Sequence, residues 1–193
     1  MTASRNIVVA ILFLVSFTLA GQDNTSGSIY RTDSGYVSFV SKAPLEIISA
    51  ESNQLKGVVD HTGRSFAFRV KVTTLEGFNS PLQREHFNEN YLESERFPDA
   101  TFNGVIIEDA IPGEDWITVR ARGSFQVHGI TRERIIPCKI RIKNGKLQIH
   151  SRFTVLLNDH DIPIPKLVSE KIADEIEVTV RGTLTPMQPE NEK

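Results

Sequence analysis

The sequence predicts an all-β fold: an antiparallel sheet of about eight strands closed into a barrel, with one helix between strands and a short capping helix. Three observations carry this. First, six stretches place apolar residues at every second position, the period of a half-buried antiparallel strand. Second, the positions between them are polar, with Arg69, Lys71, Arg120, Arg122, Lys139, Arg141, Lys143, His150, Arg152, Glu177 and Arg181 forming the alternate face. Third, turn-forming residues separate the stretches, most plainly Asn144-Gly145, which tolerate the positive φ of a two-residue hairpin. A sheet with one apolar side must close on itself or stack on another.

Along the chain, Arg5 precedes an uncharged run, Ile7 to Leu19, and Thr18 and Ala20 supply the small residues of a cleavage site. Residues 1–20 therefore read as a secretory signal peptide. The run is about 13 residues long, and a membrane-spanning helix needs about 20. A polar leader is expected over residues 21–34. A first strand is expected from Tyr36 to Lys42, with Val37, Phe39 and Ser41 on one face and Pro44 ending it. Leu55, Gly57 and Val59 mark a short second strand, and Asp60 to Gly63 turn it into a third carrying Phe66, Phe68, Val70 and Val72.

The alternation breaks from Glu76 to Asp99, where Pro81 can open a helix expected to run to Glu93. Strands then follow on Phe102, Gly104 and Ile106; on Ile117, Val119, Ala121, Gly123, Phe125 and Val127; on Ile136, Cys138, Ile140 and Ile142; and on Leu147, Ile149, Ser151 and Phe153. The segment Asn158 to Asp174 contains Pro163 and Pro165 and a short helix expected over Lys166 to Ala173, of the kind that caps a barrel end. The last strand carries Ile176, Val178, Val180, Gly182 and Leu184, so one barrel domain is expected over residues 35–186, followed by a polar tail at 187–193.

The net charge of −2, with both signs interspersed, does not give the basic field of a nucleic-acid partner. Cys138 is the only cysteine, so no intramolecular disulfide forms, and its place on the apolar face reads as a buried thiol. No nucleophile elbow, phosphate-binding glycine loop or zinc-protease motif is present. Asp159, His160 and Asp161 cluster in sequence, but neighbours on an extended chain point apart, so a solvated loop tip is expected there rather than a metal site. Glu85 and His86 do not face each other on a helix. No catalytic residue, metal or cofactor is expected.

The inward positions combine large rings with small residues at Ser41, Gly57, Gly104, Ala121, Gly123, Ser151 and Gly182. An eight-stranded barrel can be filled by its side chains or can hold one ligand. Small inward residues suit a cavity, yet strand glycines also mark bends and bulges in a filled barrel. Periodicity leaves both readings open.

Gly57-Val58-Val59-Asp60, Phe66-Ala67-Phe68, Arg84-Glu85-His86-Phe87-Asn88, Arg96 to Phe102 and Gly123 to Thr131, in this order and spacing, resemble the YceI-like family of bacterial periplasmic proteins. The resemblance covers about Gly35 to Pro186. It implies a lipocalin-like barrel whose interior binds a polyisoprenoid, an isoprenoid quinone or a fatty amide, with the helix around His86, Phe87 and Tyr91 bordering the pocket. The chain departs from the commoner family pattern at Lys42-Ala43-Pro44, where a histidine often ends the first strand. It departs again at Val155 to Ile162, which lacks the usual arginine and Asp-aromatic-Gly run.

The residues expected to contact such a ligand are Phe39, Phe66, Phe68, His86, Phe87, Tyr91, Phe102, Val119, Ala121, Gly123, Phe125, Ile140 and Phe153. The function expected is non-catalytic carriage or sequestration of a long-chain lipid or isoprenoid, outside the cytoplasm, periplasmic or secreted. Transient membrane contact and a dimer are left open. The competing expectation is an envelope interaction module with a packed core and no lipid.

Overall fold

The computed structural model describes residues 29–187. The expected signal peptide, the leader before Ile29 and the tail after Met187 lie outside the described residues. Eight strands, β1 (Ile29–Lys42), β2 (Ile47–Asp60), β3 (Ser65–Lys71), β4 (Asp99–Ile106), β5 (Ile117–Val127), β6 (Ile130–Lys143), β7 (Lys146–Leu156) and β8 (Glu175–Pro186), follow one another around a closed barrel. Each is antiparallel to the next, and β8 closes on β1.

Strand β1 starts seven residues earlier than the alternation suggested, and β2 starts at Ile47 rather than near Leu55. The reason is a change of phase. Register shifts between Thr32, Gly35 and Val37 insert residues into the ladder, so Tyr30 and Thr32 are buried on one parity and Gly35 and Ser41 on the other. Strand β2 changes phase at the same level: Ala50 and Ser52 are buried, then Leu55, Gly57 and Val59. A period-two reading loses a strand at such a shift.

Strand β6 is also longer than expected. Its residues Ile130 to Pro137 pair with β5 alone, and pairing with β7 runs only from Cys138 to Lys143. Pro137 has no N–H to offer a ladder. Above it the seam between β6 and β7 is held by side chains: Ser151 Oγ donates to the Pro137 carbonyl (2.7 Å), Arg134 Nη2 to that of Thr154 (2.8 Å) and Arg132 Nε to that of Asp159 (2.7 Å). Arg132 and Arg134 sit opposite Phe125 and Gly123, on the parity apolar residues hold elsewhere, which hid this half-strand from the pattern.

Helix α1 (Pro81–His86) has Pro81 in its first turn and Ser80 as its cap, with Ser80 Oγ accepting from the Gln83 N–H. The expected helix to Glu93 does not continue in α form. A π turn over Phe87–Tyr91 replaces it, with Leu92 N–H bonded to the Phe87 carbonyl five residues back (2.9 Å). Glu93 then has φ +44°, which ends the helical path. The capping helix expected over Lys166 to Ala173 is only a single 3₁₀ turn, Lys166–Val168.

Asn144 and Gly145 form the expected hairpin turn, both at positive φ (52° and 71°). His128 and Gly129 make the equivalent turn between β5 and β6 (50° and 73°). His128 is held there by hydrogen bonds between Nδ1 and the His160 carbonyl (2.9 Å) and between Nε2 and Glu93 (3.1 Å).

His160 corrects the expected solvated loop tip. A 3₁₀ turn, Leu157–His160, folds its ring inward to 0 % exposure, against Phe125 (5.5 Å, edge to face), with Nδ1 bonded to the Ile130 carbonyl (3.1 Å). Burial pushes its pKa below the ordinary 6.5. Among the described residues no group of three or more His, Cys, Asp or Glu could hold a metal ion.

Two apolar clusters brace the barrel. One, built on Tyr30, Val59, Phe66, Val119, Ile140, Leu147, Ile149 and Leu184, packs toward the end that carries the 144–145 turn. The other, Val72, Leu92 and Ile162 with Phe87 and Tyr91 against them, seats the helical segment over the opposite end.

Candidate functional site

The interior is hollow. A cavity of about 470 Å³ runs down the barrel, within the range of small-molecule sites. Its wall is built by the inward parity of the strands, for which reason it is almost wholly apolar. Rings from β3, β4, β5 and β7 form a belt: Phe66 to Phe102 (4.8 Å between centroids), Phe102 to Phe125 (6.1 Å) and Phe125 to Phe153 (5.7 Å). Aliphatic side chains of β7 and β8, among them Ile149, Val178 and Val180, line it as well.

Phe39, Phe66, Phe68, His86, Phe87, Tyr91, Phe102, Val119, Ala121, Phe125, Ile140 and Phe153 all line this cavity. Gly123 does not, which corrects the expectation that it faces the interior space. Gly123 lies opposite Gly104 in the β4–β5 ladder, and a Cβ at either position would overlap a backbone carbonyl of the other strand, of Asn103 or of Arg122. These glycines permit close backbone approach. Gly57 likewise opens no space, because the ring of Phe68 already lies where its Cβ would be. Of the small inward residues the sequence named, Ser41, Ala121 and Ser151 border the cavity.

Two hydroxyls of the wall are engaged within the protein. Ser41 Oγ accepts from the Ala173 N–H (2.9 Å), and Ser151 Oγ donates to Pro137. Cys138 borders the cavity, and burial pushes its thiol pKa up to about 11. It is a small apolar surface at neutral pH, as its strand position suggested.

Lining residues that also reach solvent gather at one end: Ser80, Leu82 and His86 from the α1 segment and Lys171 from the β7–β8 connection. This end is the mouth. Glu46, from the β1–β2 turn, completes it, with Oε1 accepting from Gln83 Nε2 (2.9 Å) and Asn79 Nδ2 (3.2 Å). Just inside, Phe39, Phe78 and Phe87 form a trio, Phe39 and Phe87 stacked at 5.3 Å and Phe78 tilted against Phe87 at 4.9 Å. The charged side chains of the lining, Glu46 and Lys171, are thus at the mouth, and the depth is greasy apart from Ser151 and, from the β2–β3 turn at the far end, His61. Phe78, Leu82, Ile172 and Lys171 escaped the sequence reading, because they lie on loops and a short helix where no strand period applies.

The sequence model of the YceI-like domain matches residues 17–184. No curated protein matches the chain at a significant level. Among solved structures, the chain is similar to a polyisoprenoid binding domain from Saccharophagus degradans implicated in plant cell wall breakdown. That match has a TM-score of 0.69 and 10 % identity, over 83 % of this chain and 99 % of that one. It is similar also to Burkholderia cenocepacia BcnA (TM-score 0.65, 12 % identity, 78 % and 96 % covered) and to a Campylobacter jejuni YCEI protein (0.52, 10 %, 95 % and 100 %). At such identities the likeness establishes the fold.

Proposed function

The chain belongs to the YceI-like domain family, and on that premise we propose that its barrel binds one long-chain apolar molecule and carries or sequesters it without chemical change. The observation that carries this reading is the cavity itself: about 470 Å³ of space walled by aromatic and aliphatic side chains, with its charged groups confined to one end. Such a site suits a ligand with a hydrocarbon body and a polar head. Each methylene taken from water gives about 0.8 kcal/mol, so affinity is set mainly by the length of chain buried. The head would stay at the mouth, near Glu46, His86 and Lys171. The polyisoprenoid binding named for the Saccharophagus degradans domain supports an isoprenoid or a similar lipid as the ligand class. Isoprenoid quinones and fatty amides share that chemistry. The Arg5 and Ile7–Leu19 pattern supports carriage outside the cytoplasm.

Cys138 provides the test. It is the chain's only thiol and borders the cavity, so an occupant should shield it. Purified protein titrated with a polyprenol delivered from detergent should lose reactivity toward an apolar thiol reagent in proportion to occupancy. A modification rate that stays constant across the titration would contradict the proposal.

A further inference from the structure

Three of the most exposed apolar side chains among the described residues stand around the mouth of the cavity. Leu167 is 94 % exposed, Leu45 66 % and Leu82 58 %. They come from three different elements that the structure ties together: the Leu45 N–H donates to the Glu170 carbonyl (2.9 Å), and Gln83, next to Leu82, donates to Glu46, next to Leu45. The β1–β2 turn, the start of α1 and the segment 166–172 therefore form one continuous arc, and Leu82, Val168 and Ile172 on it already line the cavity. Lys166 and Lys171 lie on the same arc and make no ion pair among the described residues.

We infer that this arc is a membrane-docking surface, by which the barrel seats its mouth on a phospholipid bilayer and exchanges a lipid with it. A grouped set of exposed leucines is costly to keep in water and marks a contact surface. The bilayer is the partner that fits both kinds of side chain present: leucines enter the acyl boundary, while lysines reach the phosphates above it. Glu46, Glu85 and Glu170 on the same elements more than offset the two lysines, so the leucines anchor and the lysines only tune. Docking also shortens the ligand's path, because hydrocarbon then passes from bilayer to cavity without crossing bulk water. This last step rests on the proposed lipid-binding function, whereas docking itself does not.

The experiment is co-sedimentation with vesicles of phosphatidylethanolamine and phosphatidylglycerol, paired with polyprenol uptake from detergent. Wild type is compared with the triple variant Leu45→Ser, Leu82→Ser, Leu167→Ser. Ile111→Ser, at the other end of the barrel and 85 % exposed in the native protein, serves as control. The triple variant should bind vesicles on the order of tenfold more weakly or worse, and Ile111→Ser should match wild type. Because Leu82 lines the cavity, uptake from detergent is read on the double variant Leu45→Ser, Leu167→Ser and on Ile111→Ser, and should be unchanged in both. Equal sedimentation of wild type and triple variant overturns the inference. So does loss of sedimentation from Lys166→Gln, Lys171→Gln with the leucines intact and no loss from the triple variant, since that would be surface electrostatics alone. A wild type that ignores vesicles but shows a concentration-dependent dimer, abolished in the triple variant, would assign the arc to a second copy and overturn it too. If wild type takes no polyprenol even from detergent, the lipid-binding proposal fails, while sedimentation still judges the docking surface.

Discussion

Replacing Ala121 with Phe separates a cavity that works as a binding site from one that is an accident of packing. Ala121 lies on β5 between Ile106 and Ile136 of its neighbours, and its methyl borders the cavity. A cavity of about 150 Å³ suffices to hold a benzene ring, so the new ring would occupy roughly a third of the 470 Å³ available. The fold should tolerate this, because the ring enters open space instead of displacing neighbours; a packed core would lose about 1–3 kcal/mol. A long-chain ligand should not tolerate it. A ring displaces about five methylenes, and at about 0.8 kcal/mol each the ceiling on lost affinity is about 4 kcal/mol. Sliding of the chain toward the mouth would recover part of that, leaving a loss of at least about tenfold in Kd. Thermal unfolding and fluorescence-monitored polyprenol binding on both proteins give the answer. Binding that is unchanged in Ala121→Phe, or a marked drop in stability in a protein that never takes up lipid, would refute the reasoning and favour a packed interaction module.

Val119 is 2 % exposed and inward on β5, so Val119→Asp should cost about 3–5 kcal/mol in chemical denaturation as a buried carboxyl group without a partner; a cost under about 1 kcal/mol would place it elsewhere. Lys139 on β6 lies between Thr118 and His150, and His150 lies beside Arg181, so this part of the outer face carries basic side chains and sets no carboxylate opposite Lys139. Lys139→Glu should therefore be neutral or stabilising by a few tenths to about 1 kcal/mol, and a clear loss in denaturation midpoint would contradict this. His160 is buried with its pKa held below 6.5, so it lends stability that is complete above pH 6.5 and is lost as pH falls through the lowered value. The melting temperature of wild type should drop over that range, and His160→Gln should flatten the slope. Glu177, bonded to Lys42 (2.6 Å) and to Arg152, has its pKa held down to about 2. Its contribution is present above pH 4.5 and fades toward pH 2, so Glu177→Gln should weaken the protein at neutral pH and lessen further acid loss between those values.

The barrel was legible wherever one strand kept a single phase and had partners on both sides. Strands β3, β4, β5 and β7 meet that condition, and their inward residues are those the alternation named. Strands β1 and β2 do not, because the shifts around Gly35 and Leu55 exchange parity within each strand. The first half of β6 lacks a β7 neighbour and carries arginines that bridge the gap. The cavity was legible through its rings and partly misread through its glycines. A missing side chain creates space only if no neighbour fills it, and at Gly57 the ring of Phe68 does. The mouth was least legible. Phe78 and Lys171 reach the cavity through loop paths fixed by long-range contacts, such as the Leu45 to Glu170 hydrogen bond. His160 was misplaced for the same reason, since a polar residue flanked by two aspartates gives no local sign that its ring will be drawn beneath Phe125.

Native mass spectrometry of protein purified without detergent, followed by organic extraction of what it carries, tests the account most directly. A barrel that binds a long-chain lipid should retain one such molecule per chain through gentle purification, or take one up when offered polyprenol, and release an isoprenoid or fatty compound on extraction. A protein that stays at its bare mass, yields no lipid and acquires none on incubation would contradict it.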